Sequence, residues 1–265
     1  MTAASIRPPA VAGMFYPADP RELRAEIASY LAAARGSAPR PPKALIAPHA
    51  GYIYSGPIAG SAYATLAPVR AKIRRVVIAS PSHRVGFRGI ATSGATAFRT
   101  PLGDVPVDAE ACAALLACPG VHVFDRAHRD EHGIEVHLPF LQETLETFRI
   151  VPLVVGDTDD TTMATALDRA PGGDDTLIVI SSDLSHYLPH AQAQVLDRTT
   201  AGAILALDPE AIAPDHACGQ RAIRGLLHLA RTHHLTPTEL DRRTSGDTAG
   251  DRSSVVGYGA YAFTA

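Results

Sequence analysis

"KALIAPHAGYIYSG", residues 43–56, passes from a lysine through four apolar residues into proline, histidine and glycine. An uninterrupted apolar run of this length, closed by turn formers and showing no polar alternation, is the pattern of a strand buried on both faces. Three more stretches repeat it: "RRVVIAS" (74–80), "RIVPLVV" (149–155) and "DTLIVIS" (175–181). Amphipathic segments such as "GPIAGSAYATLA" (56–67) and "HLPFLQETLETF" (137–148) separate them at spacings that suit crossover helices. The alternation predicts an α/β fold, a single domain over residues 1–265 with a mostly parallel central sheet flanked by helices. The first helix is the clearest, because Asp19 suits an N-cap, Pro20 the first helical position, and Leu23, Ile27 and Leu31 recur on one face. Residues 88–107 read instead as short strands and turns, an antiparallel excursion, and "SSVVGYGAYAFTA" (253–265) reads as a terminal strand.

Composition narrows the function classes. Twenty-four basic against 27 acidic residues give a net charge of -3 without a basic block, which argues against nucleic acid or an anionic membrane as partner. No stretch approaches the roughly 18 apolar residues of a membrane helix, and "MTAASIRPPAVAG" lacks the pattern of a signal peptide, so the expected location is the cytoplasm. Three cysteines, an odd number, read as reduced thiols, and twelve histidines tilt the chain towards imidazole chemistry.

The predicted strands end alike. "LIAPH" delivers His49, "VVIASPSH" delivers His83, and "LIVISSDLSH" delivers Asp183 and His186. Ligands of open α/β sheets bind outside the carboxyl ends of the strands, where loops diverge. One histidine after a strand is more often a hydrogen-bonded loop residue than a ligand, and it is the repetition that points to a shared pocket. Pro48 and Gly51 suit a turn that aims His49, while Tyr52 and Tyr54 read as packing residues.

"RDEHGIEVHLPF" (129–140) concentrates Asp130, Glu131, His132, Glu135 and His137. Read as the start of a helix, it puts His132 and Glu135 on one face, and Glu131 with Glu135, while His137 turns away. The order fits neither the H-E-x-x-H nor the H-x-x-E-H zinc motif. A helix dipole explains the carboxylates, but not His132, which is better placed to move a proton. Cys112 and Cys118 read as small core hydrophobes; Cys218 precedes a predicted helix whose N-terminus would ease its ionisation to a metal-binding thiolate.

Taken in order, "AGMFYPAD", "APHAGYIYSG", "PSH", "DEHGIEVHLPF", "SSDLSHY", "CGQ" and "SSVVGYGAYAF" resemble the Memo family, known in bacteria as AmmeMemoRadiSam system protein B, from about residue 8 to the C-terminus. The resemblance implies a fold similar to the class III, LigB-type extradiol dioxygenases, which hold non-haem iron(II) and open an aromatic diol with dioxygen. It implies His49, His83 and Cys218 as metal ligands, with a cysteine where the dioxygenases have glutamate, and His132, His186 and Asp183 as the acid–base side chains. The implied metal is iron(II), with copper and zinc as alternatives. The implied functions are oxidation of a small-molecule substrate or a non-catalytic metal-binding or protein-interaction module supporting radical-SAM and AMMECR-type proteins; a third reading of the same histidines is a zinc-dependent hydrolase.

Overall fold

The computed structural model of the protein describes residues 5–170 and 172–265. Along the chain, β1 (Ile6–Arg7) and α1 (Pro20–Ala32) precede β2 (Ala44–Ala47), α2 (Tyr52–Tyr63) and β3 (Arg75–Pro81). Short strands follow, β4 (Ile90–Thr92), β5 (Ala97–Thr100) and β6 (Gly103–Pro106), then α3 (Ala109–Leu115), β7 (Val121–Val123), α4 (Asp125–Arg129) and α5 (His137–Thr144). The rest comprises β8 (Arg149–Val155), α6 (Asp160–Arg169), β9 (Thr176–Ser181), β10 (His186–Leu188), α7 (His190–Leu205), α8 (Gln220–Thr232), β11 (Thr236–Thr244), α9 (Ser245–Thr248) and β12 (Val255–Thr264).

The main sheet runs β10-β12-β2-β9-β3-β8-β4-β7, with β11 also paired to β12. Its centre, β2-β9-β3-β8, is parallel, and these are the four strands whose apolar runs stand out in the sequence. Antiparallel additions occupy both margins: β12 against β2 on one side and β4 against β8 on the other. A separate three-stranded sheet, β1-β5-β6, contains the antiparallel hairpin expected between residues 88 and 107, while β4 joins the main sheet. The fold is thus mixed α/β, a central sheet flanked by helices: α8 packs on β3 and β9 with α6 against it, and α2 packs on β2 and β12 with α1 against it. Among the described residues no helix is long and apolar enough to cross a membrane.

Helix α1 forms as its sequence dictates, with the Asp19 carboxylate capping Arg21 and Glu22 N–H groups and Leu23 and Ile27 buried. Two local expectations change. Helix α2 begins at Tyr52, four residues before the segment expected to form it, and takes Pro57 into its first half. Residues 130–136 are not helical; regular helix begins only at His137. The pairing of His132 and Glu135 on one helical face therefore does not occur. The polar strand β11 escapes a hydrophobic reading because its sequence, "TPTELDRRT", carries charges on a sheet margin, as strands at sheet edges commonly do.

Candidate metal centre

Because β2, β3 and β9 run parallel, their carboxyl ends lie side by side. His49, His83 and Asp183 each stand two residues beyond one of these ends, and His186 opens β10 shortly after. Cys218 arrives from elsewhere, just before Gly219, the N-cap of α8. His132 comes from the turn ahead of α5. The ring of His83 lies 4.9 Å from that of His49 and 4.5 Å from that of His132, with His49 and His132 5.4 Å apart between centroids. One ring nitrogen from each of the three histidines lies within 4.8 Å of the others, a spacing that can close around an ion. Cys218 Sγ sits 3.3 Å from His49 Nε2.

Hydrogen bonds fix which nitrogens face inwards. Ser181 Oγ donates its only hydrogen to the Gly133 carbonyl at 2.6 Å, so at its 2.6 Å contact with His49 Nδ1 it accepts. His49 is thereby the Nδ1–H tautomer, with the Nε2 lone pair turned towards Cys218. On the other side Glu131 Oε1, which can only accept, lies 2.8 Å from His83 Nδ1, so His83 also presents an Nε2 lone pair. A carboxylate behind a histidine in this way orients the ring and raises its basicity as a ligand.

Glu131 does more than face His83. Its two oxygens accept the backbone N–H of His83 at 2.7 Å, of His132 at 2.9 Å and of Gly133 at 3.0 Å. Burial opposes ionisation, but the His83 hydrogen bond and these backbone donors outweigh it and hold the carboxyl below its usual range. The helix dipole expected to account for Glu131 is absent, since no helix starts there. Gly133 completes this side: a Cβ on it would come within 2.1 Å of Ser80 Oγ and 3.2 Å of Ser80 Cβ, so the turn approaches β3 only because the residue is glycine.

His132 stacks obliquely on Phe15 at 4.9 Å. Its buried Nδ1 lies 3.3 Å from Glu131 Oε1 without the geometry of a hydrogen bond, and has no other partner among the described residues. Burial pushes its pKa down to about 4, against the pull of Glu131, and burial with the neighbouring His83 pushes His49 well below its ordinary value. Both rings are neutral at neutral pH, as ligands must be.

The thiol behaves differently from the expectation that a helix N-terminus eases its ionisation. Burial, reinforced by the Asp183 charge, pushes Cys218 up to about 12, overriding the N–H donors of Asp183 and Gly219. A thiolate here requires a cation beside it. Asp183 Oδ1 accepts the His49 N–H at 2.8 Å, and burial raises its pKa to about 6. His186 donates Nδ1–H to the Leu184 carbonyl at 2.8 Å and so turns its Nε2 outward from that bond. Of the two tyrosines read as packing residues, Tyr52 is buried with its hydroxyl on the Val136 carbonyl at 2.6 Å, whereas Tyr54 is exposed.

The donor chemistry fits a metal ion. Two imidazoles have their lone pairs fixed inwards, a third has an orphaned buried nitrogen, and a thiol touches the first. A tetrahedral ion with bonds of about 2.0 Å to nitrogen and 2.3 Å to sulfur holds such donors roughly 3.5 Å apart, close to the His49–Cys218 contact. Fold and site together define a mixed α/β protein with a histidine-lined candidate metal centre at the carboxyl ends of its parallel strands. Within that class the chain belongs to the Memo-like protein family, whose family model matches residues 7–262. It is 38% identical over 284 aligned positions to a MEMO1 family protein of Methanopyrus kandleri, covering 97% of this chain and 98% of that one. MEMO1 family proteins of Methanothermobacter thermautotrophicus and Archaeoglobus fulgidus are similar at 37% and 35% identity, covering 96% and 97% of this chain and 98% and 99% of theirs.

Proposed function

We propose that the chain binds one iron(II) or copper ion through His49, His83 and Cys218 and uses it in redox chemistry on a small molecule, in the manner of a diol dioxygenase. The observation that carries this reading is the meeting of the His49 Nε2 lone pair and the Cys218 thiol at 3.3 Å, beside a His83 whose own Nε2 is freed by Glu131. An ion held by His49, His83 and Cys218 would supply the redox capacity for ring opening of a diol by dioxygen, both oxygen atoms ending in the product. The chain's own residues then handle protons. His132, neutral because burial lowers its pKa to about 4, offers a ring-nitrogen lone pair within the cluster. Asp183, raised to about 6, anchors the His49 backbone and exchanges a proton near neutrality, with His186 on the same loop.

The test is metal analysis of protein purified without oxygen, followed by oxygen uptake against a panel of catechols. Stoichiometric iron or copper that Cys218→Ser fails to retain, with catechol-dependent uptake, is the expected result. Metal binding without uptake would replace the enzyme by a metal-binding module. Zinc-dependent hydrolysis is the second reading, favoured by a raised Asp183 beside a donor set that zinc accepts; zinc in the isolated protein together with ester cleavage would select it.

A further inference from the structure

We infer that the amino-terminal strap, residues 7–16, is a positioning element of the metal centre, acting through the buried pair Arg7 and Glu135. This rests on the metal-binding reading above. Arg7, on β1, is 6% exposed and Glu135 is fully buried, far from each other in sequence and outside the donor set. The guanidinium reaches three acceptors at once: the Glu135 carboxylate, the Glu131 carbonyl, and the His128 carbonyl at 3.1 Å. Glu135 in turn accepts the N–H of Ala10 at 2.7 Å, the N–H of Val11 at 3.0 Å and the Tyr16 hydroxyl at 2.5 Å. The strap then touches both sides of the centre. The Phe15 carbonyl accepts the Tyr52 N–H at 2.7 Å, just beyond the His49 loop, and the Phe15 ring rests on His132.

A buried ion pair is an inefficient source of stability, since removing two charges from water costs much of what their attraction returns. What the forked guanidinium does, and an apolar filler or a single ammonium would not, is to hold two carbonyls of the 128–131 backbone in fixed places. Fixing the Glu131 carbonyl leaves its carboxylate aimed at His83 and at the N–H groups of His132 and Gly133. Arg7 and Glu135 thus act through Glu131 and are positioning residues.

Cobalt(II), added alone, is the probe: its visible absorption reports both affinity and coordination geometry. Arg7→Lys and Glu135→Gln are expected to bind cobalt about tenfold more weakly than wild type and with an altered spectrum, within the range produced by changes to groups that orient metal ligands. A purely structural role would lower the melting temperature and leave affinity and spectrum of the folded protein unchanged, and that outcome overturns the inference. Should either variant fail to fold by circular dichroism, Phe15→Leu decides, because it spares the ion pair; several-fold weaker binding is expected, and wild-type affinity overturns the strap's role. A wild-type chain that binds no cobalt would overturn the metal reading itself, whereas normal wild-type binding with unaltered variants overturns only the strap.

Discussion

His49 and His83 occupy equivalent places, each two residues beyond a parallel strand and each with Nδ1 tied back by a hydrogen bond, yet opposite chemistries tie them. Behind His83 stands an ionised carboxylate, Glu131, committed to four donors. Behind His49 stands a neutral hydroxyl, Ser181, and beyond its Nε2 a thiol and a carboxyl that hold their protons more tightly than usual. One side is a charged mount; on the proposed metal-binding reading, the other would give up protons when a cation arrives. A centre that binds metal as proposed would couple capture of the ion to proton release on the Cys218 side.

The change that breaks the comparison altogether is loss of the residue closest to both sides. His49→Ala removes a ring 4.9 Å from His83 and an imidazole nitrogen 3.3 Å from Cys218, and is expected to abolish stoichiometric metal binding. Metal analysis of the purified variant checks this, and retention of one equivalent would refute the ligand assignment.

Glu131→Gln should come next and is confined to the His83 side. The amide puts two N–H donors where the carboxylate accepted four bonds, leaving at least one buried donor unpaired at a cost of about 1–3 kcal/mol. Metal affinity is expected to fall about 10- to 100-fold, as it does when other carboxylates behind a ligating histidine are lost. Titration calorimetry with zinc checks it; an unchanged dissociation constant would show that His83 needs no charged mount.

These two expectations also separate what the sequence disclosed from what it did not. The strands carrying His49, His83 and Asp183 are legible because a parallel strand buried on both faces must be apolar throughout, and the polar residue that ends such a run is conspicuous. Glu131 is conspicuous for the wrong reason. Its neighbours have helical spacing, and only the folded chain shows that Gly133, pressed against Ser80, holds them in a turn instead. Ser181 leaves no trace in the sequence, since a serine closing "DTLIVIS" looks like any strand end. The ionisation expected for Cys218 failed because burial, invisible in one dimension, outweighs a few N–H dipoles.

Acid should act on the buried histidines and on Asp183 in opposite senses. His132 is lowered to about 4, and so is His128, while His137 is lowered to about 3 and His49 well below its ordinary value, all chiefly by burial. Above pH about 6.5 these groups are neutral in both folded and unfolded chains; as pH falls below it the unfolded chain takes up protons that the folded one refuses, so stability drops towards pH 4. Asp183, raised to about 6, works the other way, favouring the fold as pH falls from 6 towards 4. Four histidines against one carboxyl leave a net loss of several kcal/mol, since each tenfold difference in proton affinity between folded and unfolded chains is worth about 1.4 kcal/mol. Urea midpoints of metal-free protein measured from pH 7.5 to 4.5 should fall, and Asp183→Asn should steepen the fall; a flat profile would mean that the histidines are not held neutral.

The smallest effect should come from Ser181→Ala, the counterpart on the His49 side. The hydroxyl accepts one hydrogen bond and donates another, to Gly133, so its removal strands the His49 Nδ1–H without touching any charge. His49 still has its backbone N–H on Asp183 and its Nε2 on Cys218. Because a neutral partner contributes less than a carboxylate to ligand basicity, zinc affinity should fall less than tenfold, clearly below the Glu131→Gln loss. The tautomer supplies the sharper readout. With Ser181 gone, only the weak S–H donor of Cys218 at Nε2 still favours Nδ1–H, and nitrogen-15 shifts of the metal-free protein should show His49 drifting towards a mixture while His83 stays fixed. Equal losses in the two variants would mean that hydroxyl and carboxylate are interchangeable mounts, and that the asymmetry of the centre resides in the thiol alone.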